Sequence, residues 1–148
     1  MIFFSFFNCI QYPILFDFRF QNISEEPNKT VTLNEIIRIV EGKVLTKSVN
    51  ANVDVSAGGA SDLMSDVLAY VKPGSLLLTG LIHYQTIRTA EMADLSAIVF
   101  VRGKTPGPET VELAEELGIP LIASPYGMYE LCGRLYQAGL EPTLKNQN

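Results

Sequence analysis

The sequence holds one histidine, His83, and two cysteines, Cys9 and Cys132. A lone imidazole works as a base or ligand only with a partner, and no Cys, Ser or Asp joins His83 in a nucleophile motif. Backbone contact from a loop is the more ordinary use of such a residue. Two cysteines make neither a disulfide framework nor a zinc site of their own. Cys132 reads as a small buried thiol in an apolar helical pattern. Asp62 and Asp66 stand four apart on one helix face. That is two carboxylates where calcium takes about six oxygens or more, so solvated or capping acids are the plainer reading. No phosphate-binding G-x-x-x-x-G-K-[ST], no G-x-S-x-G, no H-E-x-x-H and no C-x-x-C occurs. These residues predict no catalytic centre, no metal and no cofactor.

What remains can hold an anion. Gly58-Gly59 ahead of a helix can turn backbone N–H groups toward a phosphate. A tight turn capped by Ser61 explains the same residues without a ligand. Arg102 and Lys104 follow an apolar strand and offer two cations, although solvated loop charges look the same. Thr79 and His83 follow another strand. Ligands of open α/β sheets gather outside the carboxyl ends of the strands. Given a parallel sheet, Gly58, Gly59, Ser61, Thr79, His83, Arg102 and Lys104 form the candidate ligand-binding set.

The elements that must position them can be traced along the chain. Thr32-Leu33-Asn34-Glu35 is a capping box. Leu33, Ile36, Ile37 and Val40 then repeat at helical spacing up to Gly42. Residues 43–46 and 53–57 read as short strands. Ser61 is expected to cap a helix whose apolar face is Leu63, Met64, Val67, Leu68 and Val71. Lys72-Pro73-Gly74 is a turn. Strands then start at Ser75, Ala97 and Ile119, 22 residues apart. Each is followed by a helix, over residues 85–93, 108–117 and 125–138. The runs Leu76-Leu77-Leu78 and Ile98-Val99-Phe100-Val101 do not alternate, as expected of strands buried on both faces. Neighbouring parallel strands need a crossover of about a dozen residues, which each helix supplies. Pro108 and Pro125 fit helix starts, and Gly118 and Gly139 fit helix ends. The fold class is α/β, a layered and mostly parallel sheet with flanking helices in three successive strand–helix units.

Composition divides the chain. Of eight phenylalanines, only Phe100 lies beyond the first twenty residues. Residues 1–30 are therefore read as an apolar, Phe-rich leader apart from the fold, residues 31–140 as the domain, and residues 141–148 as a polar tail. An extra strand or apolar arm, or a membrane anchor, are the other readings of the leader. Asn8, Gln11 and Pro13 interrupt it short of the roughly 20 apolar residues a span needs, and no basic start marks it as a secretory signal. The sequons at Asn22 and Asn28 matter only in a secreted chain. The 148 residues, 47% apolar and 18% charged, fit one globular domain of about 100–200 residues and exclude general disorder. A net charge of −5 offers no footprint for nucleic acid and argues against anionic membranes. Cysteine usage suits a reducing, cytoplasmic setting.

The block Val55-Ser56-Ala57-Gly58-Gly59-Ala60-Ser61-Asp62-Leu63-Met64-Ser65-Asp66-Val67-Leu68, with Val71-Lys72-Pro73-Gly74-Ser75-Leu76-Leu77-Leu78-Thr79 after it, resembles the signature region of DRTGG domains. Asp94-Leu95-Ser96-Ala97-Ile98-Val99, Gly118-Ile119-Pro120-Leu121-Ile122 and Tyr129-Glu130-Leu131-Cys132-Gly133-Arg134-Leu135-Tyr136 continue the likeness. Ser56-Ala57-Gly58-Gly59 keeps the two glycines of the name motif without its Arg-Thr, so any role of that Arg has no counterpart here. The resemblance implies a small accessory domain, free-standing or fused to CBS domains, pyrophosphatases or acyltransferases. It implies self-association and regulation without established catalysis, and for some free-standing members companionship with iron-hydrogenase systems.

Three functions follow as expectations. The first is a non-catalytic, self-associating regulatory module that binds a nucleotide or other anionic metabolite. The second is a scaffold or assembly partner of a redox enzyme, with no small ligand. The third is a small enzyme using His83. The last helix carries Met128, Leu131, Cys132 and Leu135 as its core stripe. Tyr126, Tyr129 and Tyr136 lie partly off that stripe, where tyrosines suit an interface. A homodimer through this face is expected, covering a sheet edge as well.

Overall fold

The computed structural model describes residues 30–143. Residues 1–29, nearly all of the Phe-rich leader, and residues 144–148 of the polar tail lie outside them. Five strands make the main sheet, β2 (Lys43–Val44), β4 (Ala57–Ala60), β5 (Ser75–Thr79), β6 (Ala97–Phe100) and β7 (Leu121–Ala123). Their spatial order is β2-β7-β6-β5-β4. Strands β4 to β7 are mutually parallel, and β2 closes the far edge antiparallel to β7. A separate two-stranded ribbon pairs β1 (Val31–Thr32) with β3 (Asp54–Val55).

The unbroken apolar runs now have their cause. Successive side chains of a strand point to opposite faces, and here both faces are covered. Leu76, Leu78, Ala97, Val99 and Ile122 enter one core, with α1 (Leu33–Ile39) and α5 (Met128–Gln137) upon it. Leu77, Ile98, Phe100 and Leu121 enter the other, under α2 (Met64–Tyr70), α3 (Tyr84–Met92) and α4 (Pro108–Glu116). The three helices of the second layer each join neighbouring parallel strands stepping one way across the sheet. Right-handed crossovers put such helices on one face. Residues 30–143 therefore form a three-layer α/β domain.

Local signals mostly hold. Thr32 and Glu35 form the capping box, the Glu35 N–H donating to Thr32 Oγ1 at 3.3 Å and the Thr32 N–H to Glu35 Oε2 at 2.9 Å. Gly118 and Gly139 end α4 and α5 with φ of 68° and 94°, the left-handed region glycine occupies freely. Other expectations shift. The strand β7 begins at Leu121, because Pro120 has no N–H to add to a ladder; its carbonyl still accepts the Ile98 N–H at 3.0 Å. Helix α5 begins after Gly127, so Pro125 belongs to the preceding loop.

The region after Val53 differs most. One expected strand is two, β3 in the ribbon and β4 in the main sheet, and Gly58 and Gly59 lie inside β4. Ser61 does not cap α2: that place is taken by Leu63, and the Ser61 hydroxyl instead accepts the Leu63 N–H at 3.0 Å in a local turn. The expected apolar face of this helix is only partly used. Val67 and Val71 are buried, whereas Leu63 and Leu68 stay 58% and 44% exposed.

Candidate functional site

The parallel register sets Ala60 beside Leu78 and Thr79 beside Phe100. The residues just past three strand ends are thereby neighbours: Ser61 and Asp62 after β4, Gly80 after β5, and Arg102 and Lys104 after β6. The Ser61 N–H extends the pairing by donating to the Leu78 carbonyl at 3.1 Å. Asp62 then leans across the end of β5. Its Oδ1 accepts the Gly80 N–H at 2.6 Å and the Thr79 hydroxyl at 2.9 Å. Thr79 Oγ1 in turn accepts the Leu81 N–H at 3.1 Å.

Two cations border this carboxylate. Lys104 Nζ donates to the Gly80 carbonyl at 2.7 Å. Arg102 lies over Gly80, since a Cβ there would stand 2.9 Å from Arg102 Nη2 and 3.3 Å from Asp62 Oδ2. A side chain at position 80 would crowd both charged groups. Arg102 has a φ of 60° and Gly103 one of 65°, which for the non-glycine costs about 1–2 kcal/mol. Two bonds hold the turn, from the Arg102 N–H to the Tyr126 carbonyl at 2.8 Å and from the Gly103 N–H to the Ser124 carbonyl at 2.7 Å. The Gly80 N–H holds the Asp62 carboxyl below its usual range. The Thr79 hydroxyl and the Arg102 and Lys104 charges act the same way, against an opposing push from burial.

Of the candidate ligand-binding residues, the fold thus gathers Thr79, Arg102 and Lys104 around Asp62, with Ser61 next to it. Gly58, Gly59 and Ser61 line a neighbouring cleft of about 330 Å³ with Asp66, Tyr70 and Thr143. His83 is exposed and precedes α3 in a different cleft, about 540 Å³, shared with Tyr84, Gln85, Gly107 and Glu109. Asp62 and Gly80 join this candidate set, although their residue types and spacing do not single them out. The spacing to Asp66 suggests a helix-face acid, but Asp62 precedes α2 and is the first carboxylate after a strand end, the placement that marks it. Among the described residues, no three His, Cys, Asp or Glu side chains are placed to hold a metal ion. Burial pushes the half-buried Cys132 thiol up, away from reactive thiolate.

The DRTGG domain family model matches residues 35–138, well over half of the 148-residue chain. The chain belongs to the DRTGG domain family. Among solved structures, this DRTGG domain is similar in fold to the CBS and DRTGG domains of the regulatory region of Clostridium perfringens pyrophosphatase, complexed with the activator diadenosine tetraphosphate. The TM-score is 0.61 at 15% identity, over 79% of this chain and 51% of that one. The chain thus spans about half the length of that structure. No curated protein matches it.

The glycine pair of the DRTGG signature has a structural cause here. A Cβ on Gly58 would stand 2.8 Å from Leu140 Cδ2, and one on Gly59 2.7 Å from Thr143 Cγ2. Neither the turn nor the anion-facing loop expected from sequence is formed. The Gly58 N–H donates to the Glu141 carbonyl at 2.8 Å, and the Gly58 carbonyl accepts the Thr143 N–H at 3.0 Å. The glycines admit the end of the domain against the edge strand. Thr143 is locked there by its hydroxyl, which accepts the Lys72 N–H at 2.7 Å and meets Ser75 Oγ at 3.1 Å.

The final helix of this DRTGG domain buries Leu131 and Leu135, with Met128 and Cys132 packed against the same core. The three candidate tyrosines differ: Tyr126 lies in the loop before this helix, and only Tyr129 and Tyr136 are on it. Tyr126 is half-buried, with the Arg134 guanidinium 3.8 Å from its ring centroid. Tyr129 and Tyr136 are 95% and 69% exposed. Among the described residues no helix is long and apolar enough to cross a membrane.

Proposed function

We propose that this DRTGG domain is a non-catalytic regulatory module that binds an anionic metabolite, a nucleotide foremost, over Gly80. Arg102 and Lys104 supply the cations. The observation that carries this reading is the Arg102 guanidinium. It is exposed and lies over Gly80 at the carboxyl end of the parallel sheet, on a residue of positive φ, with no hydrogen bond or ion pair among the described residues. A guanidinium presents a planar fork of donors suited to phosphate. The complex of the pyrophosphatase regulatory region with diadenosine tetraphosphate supports a nucleotide as the first ligand to try. Gly58, Gly59 and Ser61 line the cleft alongside, and His83 has no role in this reading.

Self-association through the Tyr129 and Tyr136 side of α5 belongs to the same proposal, supported by two exposed aromatic rings on one helix. The test is a thermal-shift series with adenosine mono- and triphosphate and diadenosine tetraphosphate. A ligand at about a hundred times its Kd adds about 2.7 kcal/mol, a shift of several degrees for a domain of this size. The shift is expected to vanish in Arg102→Ala/Lys104→Ala. Indifference to every nucleotide, with one redox enzyme co-purifying, would favour the scaffold reading instead.

A further inference from the structure

The carboxylate in this site needs an explanation, because a negative charge beside two cations weakens any bare anion. Asp62 Oδ1 is occupied by the Gly80 N–H and the Thr79 hydroxyl. Oδ2 accepts no hydrogen bond among the described residues and lies, with Arg102 Nη2, around the point where a Cβ on Gly80 would stand. The two groups nevertheless make no ion pair. Between them lies a gap with an acceptor on one side and a donor on the other. A group filling it must donate to a carboxylate and accept from a guanidinium. An unprotonated phosphate oxygen cannot donate and an ammonium cannot accept, whereas a hydroxyl does both. Lys104 spends one of its three donors on the Gly80 carbonyl and keeps two for phosphate oxygens.

We propose that the ligand is a phosphorylated sugar or nucleotide whose free hydroxyl bridges Asp62 and Arg102 while its phosphate is held by Arg102 and Lys104. This deepens the anion reading above and rests on it. It assigns Asp62 a ligand contact and makes the site selective for a hydroxyl next to a phosphate. Inorganic phosphate is the weaker ligand, since its single P–OH can bridge Asp62 and Arg102 only by giving up the phosphate position beside Lys104, whereas a sugar phosphate fills both.

The experiment is calorimetry on the full chain with two probes, adenosine monophosphate and its 2′,3′-dideoxy analogue, repeated on Asp62→Asn. Asparagine keeps an oxygen for Gly80 and Thr79 but removes the charge. In the parent protein the hydroxyl-bearing probe should bind at least about tenfold tighter, the scale of one hydrogen bond to a charged group. In Asp62→Asn that preference should disappear, with the dideoxy probe bound no more weakly than before. Ribose 5-phosphate should bind more tightly than inorganic phosphate, and that difference should shrink in Asp62→Asn. A second variant, Gly80→Ala, fills the gap with a methyl that meets only the ends of flexible side chains. It should keep a cooperative melt and lose the preference. Equal affinity for both probes in the parent, with binding lost in Arg102→Ala, overturns the hydroxyl bridge and leaves the anion site standing. Binding of neither probe, or binding undiminished in Arg102→Ala/Lys104→Ala, overturns both.

Discussion

Thr79 fixes Asp62 from the neighbouring strand, its hydroxyl donating to Oδ1 at 2.9 Å while accepting the Leu81 N–H at 3.1 Å. The threonine is fully buried, so neither bond is readily replaced by water. Thr79→Val keeps the shape, leaves the part-buried Leu81 N–H without its acceptor and takes one of two donors from Asp62 Oδ1. We expect a loss of about 1–3 kcal/mol, read as a lower urea midpoint at unchanged m-value. An unchanged midpoint would show that the pair contributes nothing to stability.

The same carboxylate predicts a pH dependence. Its folded pKa lies below the usual value, so its contribution is fully present above the unfolded pKa near about 3.9. That contribution is lost as pH falls through the lower, folded value. Melting temperatures of the parent and Asp62→Asn should therefore differ most at neutral pH and converge as pH drops below about 4. Parallel curves down to the acid limit would contradict this.

Gly58→Ala should destabilise by about 1–3 kcal/mol, the cost of overpacking a filled site. The new methyl meets Leu140 at 2.8 Å, and Leu140 is buried in the core. Chemical denaturation measures it. A variant as stable as the parent would mean that the terminal segment shifts freely.

Tyr129→Glu should leave the monomer fold within about 0.5 kcal/mol, as for most exposed positions, since the ring is 95% exposed. Light scattering at micromolar concentration should show a dimer for the parent and a monomer for the variant. A monomeric parent refutes the dimer, and a dimeric, folded variant refutes this surface.

Residues 30–143 bury two apolar cores of their own. Removal of residues 1–29 is therefore expected to leave a single cooperative thermal transition. Loss of that transition would make the leader part of the core.

The legible parts of the fold were those set by neighbours in sequence. The Thr32–Glu35 box, the run Leu76-Leu77-Leu78 and the glycines after α4 and α5 each carry their cause within a few residues. Gly58 and Gly59 were illegible because the atoms that forbid their side chains belong to Leu140 and Thr143, some eighty residues on. Asp62 was undervalued for a related reason, its partners Thr79 and Gly80 being defined only by the register of β4 against β5. Arg102 and Lys104 could be placed from sequence because they directly follow an unmistakable strand. Leu63 and Leu68 carry the right period for a buried face, but Leu63 is only the N-cap of α2, and Val67 and Val71 are the residues of that face that are buried.

The bridge between Gly58 and Pro142 also bears on how the molecule avoids sticking to itself. An open sheet edge is a template on which strands of other molecules can add. Here the outward N–H and carbonyl of Gly58 are already used by residues 141 and 143, and a proline, with no N–H to offer, sits between them. The opposite edge is only Lys43–Val44, short and bearing a lysine, two features that discourage strand addition. Among the described residues, both edges of the main sheet are thus poor templates for the addition of a further strand.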